Sequence, residues 1–213
     1  MTQTATLHYL FDPLCGWCYG ASATIGALAD QPDIDLQPHA TGLFAGSGAR
    51  PMKSFAAQAW VNDQRIAALS GQKFTEAYRQ NVLGADDASL DSTVATLAVT
   101  AVADTNPERV IDTLRAIQSA RYVAGKDVTA AAVVADVLTD LGLADAAARI
   151  LSPDTGLADL VRRRTAQARS LMTTFQLQGV PALIAEAGGT RGALDASTLY
   201  SGPDAVRAAL KLR

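Results

Sequence analysis

The chain has 213 residues, 49% of them hydrophobic, enough to bury a sizeable core in one large domain or one domain with an insertion. Its net charge of −3, its pI near 5.3 and the lack of a basic patch interleaved with aromatics exclude a nucleic-acid surface. No window reaches a transmembrane length, and residues 1–4 lack the charged and apolar regions of a secretory leader, so we expect no membrane contact and a cytoplasmic address.

The first element is an alternating run over residues 4–11. Leu7, Tyr9 and Phe11 take turns with Thr6, His8 and Leu10, the pattern of a half-buried strand. Asp12-Pro13 reads as a turn. From Gly16 to Ala29, Ala21, Ile25 and Leu28 recur at helical spacing until Asp30-Gln31-Pro32 ends the run. Ile34, Leu36, Pro38 and Ala40 then alternate with Asp35, Gln37 and His39. This is a second strand, whose proline suits an edge or a bulge.

Between the first strand and the helix stand the only two cysteines, in Cys15-Gly16-Trp17-Cys18. A C-x-x-C in that context reads as a thioredoxin-like redox motif. Residues three apart share a helix face, close enough for the short Cβ separation of a disulfide. Partial positive charge and unpaired N–H groups at a helix N-terminus stabilise a thiolate at Cys15, the nucleophile of disulfide exchange. Two plainer readings compete. The thiols could be ordinary buried cysteines, or half of a zinc site. Zinc would need four ligands, and His8 and His39, the only histidines, have no paired spacing, so we expect no metal. In a reducing compartment the motif reads as catalytic rather than as a staple.

Residues 41–50 contain Gly42, Gly46 and Gly48 but lack the lysine and spacing of a phosphate-binding loop. They read as a mobile hinge. Residues 51–151 are Ala-rich and helical in pattern, with four or five helices expected. Asp91-Ser92 precedes an apolar run, and Asn106-Pro107 reads as an N-cap with proline at N1. Gly125 and Gly142 sit at helix stops, and Val133, Val137, Leu138 and Leu141 form an apolar stripe. A further helix spans residues 154–175, with Arg162-Arg163-Arg164 as a solvated face. Gly179-Val180-Pro181 breaks it. Strands follow at residues 182–185 and 190–194 around a Gly188-Gly189 hairpin signal, and a helix over residues 201–210 closes the chain.

Phe11-Asp12-Pro13-Leu14-Cys15-Gly16-Trp17-Cys18-Tyr19, the helical stretch and Gly179-Val180-Pro181 together resemble the DsbA family of thioredoxin-like thiol:disulfide oxidoreductases. The likeness covers essentially the whole chain and is nearest the cytoplasmic FrnE-like branch, often labelled predicted protein-disulfide isomerases. It implies an α/β, thioredoxin-like fold (βαβ…αββα) with a large all-helical insertion. Residues 1–50 and 152–213 would form a discontinuous thioredoxin-like domain and residues 51–151 the insertion domain. It also implies Cys15 as attacking thiol, Cys18 as resolving thiol, and a cis Val180–Pro181 bond whose Val180 backbone binds an extended substrate segment. From the residue pair alone, a trans proline opening a strand is the ordinary reading. The chain departs from periplasmic DsbA in lacking a leader, in carrying Gly16-Trp17 where strong oxidants have Pro-His, and in not being strongly basic.

Around the motif, Trp17 is a substrate-contact candidate unless its ring folds back onto the loop. Asp12 fits a turn role better than thiol tuning. Tyr19 reads as a packing residue, and His8 and His39 as strand residues with local hydrogen bonds. The insertion should overhang the thiols and leave an apolar cleft at the domain junction, rimmed by Trp17 and the Gly-rich loop. Three functions follow as expectations. The first is a protein-disulfide oxidoreductase or isomerase acting on a disulfide-containing protein or peptide, with no cofactor and with glutathione as a candidate co-substrate. The second is a glutathione-dependent isomerase or transferase like the kappa-class transferases and 2-hydroxychromene-2-carboxylate isomerases, which usually carry serine where Cys15 stands. The third is a non-enzymatic redox sensor.

Overall fold

The computed structural model describes residues 5–187 and 189–210. The chain opens with β1 (Ala5–Phe11), a short helix α1 (Gly16–Gly20), α2 (Ser22–Ala29) and β2 (Ile34–Ala40). After the insertion come α9 (Thr155–Thr174), β5 (Ala182–Ala187), β6 (Thr190–Leu194) and α10 (Pro203–Ala209). The four strands make one mixed sheet in the order β2-β1-β5-β6. β1 runs parallel to β2 with Leu7 opposite Leu36, and antiparallel to β5 with Tyr9 opposite Leu183. Pro38 lies on the edge strand, where its missing N–H costs no ladder bond.

Period-two alternation in β1 sends its side chains to two faces. Leu7, Tyr9 and Phe11 enter the main core with Ile25 and Leu28 of α2. Leu10 faces the other way, joining Ala182 and Ile184 under Leu171, Met172 and Phe175 at the end of α9. Asp154 caps α9 by accepting a hydrogen bond from the Leu157 amide at 2.6 Å. Part of the first-strand run, Thr4, and the Gly188 half of the hairpin signal lie outside the described residues; Gly189 takes the left-handed φ of +77° that the turn requires.

The insertion contains α3 (Ala56–Ser70), a one-turn α4 (Glu76–Tyr78) continued by a π-turn over Arg79–Leu83, α5 (Thr93–Thr105), α6 (Val110–Tyr122), α7 (Ala131–Asp140) and α8 (Ala144–Leu151). It also holds a two-residue ribbon the sequence pattern did not show. Here β3 (Arg50–Pro51) pairs antiparallel with β4 (Ser89–Leu90) and pins the entrance of the insertion to its middle. Two residues are too few to leave a periodic signal.

Other local expectations are corrected. The run from Gly16 to Ala29 is two helices, broken at Ala21, whose ψ flattens to −10° and whose amide bonds both Trp17 O and Tyr19 O. Asn106 makes no side-chain cap; Pro107 starts a 3₁₀ turn from which α6 grows. The Gly-rich loop is tied down through its backbone rather than left free. Arg169 of α9 donates to Thr41 O at 3.0 Å and Gly42 O at 2.7 Å, and Gly46 N donates to Thr93 Oγ1 at 3.2 Å.

Candidate active site

Cys15 is the N-cap residue of α1 in extended conformation, and Cys18 lies one turn in. Their exposures are 7% and 0%. The turn that delivers them is built on Asp12. Its carboxylate accepts from Leu14 N at 2.9 Å, while its carbonyl accepts from Cys15 N at 3.1 Å. The same carboxylate also accepts from Phe44 N at 3.1 Å and from Ser92 Oγ at 2.8 Å. The turn role is therefore only half of what Asp12 does. This buried group also fastens the motif to the Gly-rich loop and to the start of α5, and Ser92 spends its hydroxyl there instead of capping α5. Burial raises the Asp12 pKa against the pull of these donors.

Three tyrosine hydroxyls hold the backbone of the motif. Tyr122 of α6 donates to Leu14 O at 2.7 Å, Tyr200 to Trp17 O at 3.0 Å, and Tyr9 of β1 to Cys18 O at 3.5 Å. Tyr200 ends a 3₁₀ turn, Ala196–Tyr200, that gave no sequence signal. On the open side, the Cys15 thiol reaches Val180 O at 3.5 Å, and the Val180–Pro181 bond is cis. Residues 165 positions apart are thus brought together by the β1–β5 pairing. Burial first, and then the neighbouring Cys15, push the Cys18 thiol well above its ordinary pKa.

Beside Cys15 opens a cavity of about 90 Å³. One wall is Leu14, Cys15, Gly16 and Trp17; the loop and insertion supply Phe44, Met52, Phe55, Ile66 and Leu90. This is the apolar cleft the sequence led us to expect, except at its base, where Asp63 of α3, Tyr78 of α4 and Arg121 of α6 meet. Tyr78 donates to Asp63 Oδ2 at 2.9 Å. Burial lifts the Asp63 pKa to about 7. Arg121, 1% exposed, lies 5.7 Å from the centres of the Tyr78 and Tyr122 rings. Neither charged residue was singled out from sequence, yet both leave a trace there. Arg121 continues the buried stripe Val110, Leu114, Ile117, and Asp63 stands between Ala59 and Ile66 on that of α3. A charge on a core stripe is the informative anomaly.

The half-buried Trp17 ring meets Tyr200 edge-on at 5.5 Å and lines the cleft beside Cys15. Tyr19 packs, stacked on Tyr122 at 4.7 Å. His8 and His39 bond each other at 3.0 Å on the sheet face shared with Leu10, across the sheet from the cysteines. Among the described residues no group of three or more His, Cys, Asp and Glu could hold a metal, and no helix is long and apolar enough to cross a membrane.

Comparison with solved structures places this geometry. The cytosolic disulfide reductase DsbM from Pseudomonas aeruginosa matches with 32% identity, a TM-score of 0.85 and 97% of each chain covered. The same protein with GSH matches with a TM-score of 0.80 at the same identity and coverage. A protein disulfide isomerase candidate from Nitrosomonas europaea shares 25% identity over 98% of this chain and 97% of its own, with a TM-score of 0.77. A 2-hydroxychromene-2-carboxylate isomerase shares the fold alone, at 16% identity, 98% of this chain, 99% of its own and a TM-score of 0.63. Among curated proteins, none matches. The profile of the DSBA-like thioredoxin domain spans residues 6–202, which takes in the cysteine turn, the insertion and the Pro181 loop together, and the chain belongs to that family of disulfide oxidoreductases.

Proposed function

We propose that the chain is a thiol–disulfide oxidoreductase of the cytoplasm that acts through Cys15 and Cys18. The Cys15 thiolate attacks one sulfur of a substrate disulfide; that bond breaks, a substrate thiolate leaves, and a mixed disulfide forms. The Cys18 thiolate then attacks Cys15, closing the Cys15–Cys18 disulfide and releasing the second substrate thiol, so the substrate gains the two electrons the cysteine pair loses. Run backwards, the same steps oxidise or reshuffle a substrate. The single observation that carries the reading is the 3.5 Å approach of Cys15 Sγ to Val180 O, with Cys18 wholly buried behind it. The attacking sulfur faces a length of backbone where an extended substrate can lie, and the raised Cys18 pKa keeps the second thiol protonated until the first step is done.

In this reading residues 1–50 and 152–213 carry the chemistry, residues 51–151 form the opposite wall, and Trp17, Val180 and Pro181 contact the substrate. The likeness to a cytosolic disulfide reductase favours reduction as the working direction and glutathione as the small-thiol partner. Equilibration of the pair in glutathione buffers, run beside insulin reduction, tests it. A defined two-electron midpoint with catalytic turnover is expected. Turnover only with glutathione conjugation substrates would favour the isomerase or transferase reading, and reversible oxidation without turnover would favour a sensor.

A further inference from the structure

The cleft holds a titratable group that the exchange steps leave unused. Asp63 is 4% exposed and lines the same cavity as Cys15 and Gly16. A β-carbon on Gly16 would stand 2.6 Å from Asp63 Oδ1. Consecutive Cα atoms are about 3.8 Å apart, which places that oxygen within about 8 Å of the Cys15 Cα. Three helices pack around the carboxyl. From α1 comes Cys15, and from α4 Tyr78, which donates to Oδ2 at 2.9 Å. From α6 come Arg121, a buried guanidinium whose Nε and Nη1 have no hydrogen-bond partner, and Tyr122, whose hydroxyl is spent on Leu14 O. Lys53 and Arg79, on neighbouring turns, pair at the surface with Asp86 and Glu76, and Arg65 of α3 itself lies 5.9 Å from the Trp17 ring. An acid this near an arginine ordinarily ionises and pairs with it. Here burial outweighs the pull of Tyr78 and Arg121 and holds the proton on Asp63 to about pH 7. Both cysteines are free thiols, so this arrangement belongs to the reduced site.

We propose that Asp63 is a positioning residue for the exchange reaction, a carboxyl that shares one negative charge with the Cys15 sulfur and so takes up and releases a proton in each redox cycle. The proposal rests on the exchange chemistry above and adds the proton that balances the cleft. On reduction, a thiol reductant supplies two electrons and the Cys15–Cys18 bond breaks. Cys18 takes one proton from solvent. Cys15 is left as a thiolate, and its charge draws a second solvent proton onto Asp63. When Cys15 attacks a substrate disulfide, the charge passes to the departing substrate thiolate, and Asp63 returns its proton to solvent. Two like charges at this separation in a partly buried cleft hold back each other's ionisation by about tenfold. A neutral Asp63 therefore leaves the nucleophile charged, while an ionised one opposes it. An exposed aspartate could not do this, because water and salt would screen it.

The first test uses the reduced full chain, capped at Cys15 either with iodoacetamide, which leaves a neutral group, or with iodoacetate, which leaves a negative one. Mass spectrometry checks that the buried Cys18 stays unlabelled. Carboxyl NMR of the aspartate-labelled chain then follows Asp63 against pH. The anionic cap should hold the Asp63 proton to a pH about one unit higher than the neutral cap does, a direct reading of the tenfold coupling. The second test compares midpoint potentials of the unaltered chain and Asp63→Asn. At high pH the reduced unaltered chain carries both charges and the variant only one, so the unaltered chain becomes the harder to reduce. The potential of Asp63→Asn should rise relative to it by about 30 mV between about pH 5 and about pH 9, which is tenfold in a two-electron equilibrium. A merely structural role would shift the potential equally at every pH. Equal Asp63 midpoints under the two caps overturn the inference with no variant having to fold, and so does a potential gap that ignores pH. Insulin reduction by the unaltered chain separates the two proposals. If insulin is reduced while the caps make no difference, the shared charge falls and the exchange reading stands; if insulin is untouched, the exchange reading falls and takes this inference with it.

Discussion

Asp63 presses on Gly16. A β-carbon on that glycine would stand 2.6 Å from Asp63 Oδ1 and 3.3 Å from Ile66 Cδ1, so the residue after Cys15 is where α3 closes against α1. The carboxyl cannot swing aside, because it is buried and bonded to Tyr78. Gly16→Ala should cost about 1–3 kcal/mol, the ordinary price of overpacking. In urea denaturation, the Gly16→Ala/Asp63→Ala double variant should lose clearly less than the two single losses added together, since the residues are in contact. Strict additivity would show that the collision is absent.

The two sulfurs should separate cleanly by variant. Cys15→Ser should abolish exchange, whereas Cys18→Ser should attack but not resolve, accumulating a mixed disulfide visible by mass spectrometry. Normal turnover by Cys18→Ser would reverse the assignment.

Asp63 and His39 pull the pH dependence of stability in opposite directions. Asp63 keeps its proton in the folded chain to about pH 7, while an unfolded aspartate releases it near 3.9, so stability falls as pH rises across that window. His39 is held down to about 4 by burial and by His8, while an unfolded histidine protonates below about 6.5, so stability rises with pH over nearly the same interval. Each effect is on the order of 3–4 kcal/mol before solvent screening, which trims the half-buried His39 more. Asp63→Asn should therefore tilt the stability profile between pH 4.5 and 6.5 upward with pH, and His39→Gln should tilt it downward. Parallel profiles in the two variants would contradict both assignments.

Arg169 is the clasp of the Gly-rich loop. Removing its two bonds to Thr41 O and Gly42 O by Arg169→Ala should cost about 1–2 kcal/mol. Amide hydrogen exchange should accelerate across residues 41–50. Arg169→Lys should restore only part of the protection, because an ammonium has no fork to span two carbonyls. Unchanged exchange would return the loop to the free hinge its composition suggests.

Much of the molecule was legible in local pattern. Alternation in β1 and β2, helical spacing with stop signals at Gly125 and Gly142, and the C-x-x-C at a strand–helix junction each write a local physical preference into neighbouring residues. They sufficed for the thioredoxin-like order of elements and for the two thiols. Tertiary structure decided what depends on partners far along the chain. It placed Val180 O against Cys15, gave Asp12 its bonds to Phe44 and Ser92, turned Trp17 onto Tyr200, and tied down the loop through Arg169. It also drew Asp63, Tyr78 and Arg121 from three helices to the base of one cleft. Within α3 and α6 these two charges look like flaws in apolar stripes; only the packing of the helices against the cysteine turn makes them parts of one site, because a buried polar group takes its meaning from the groups folding sets beside it.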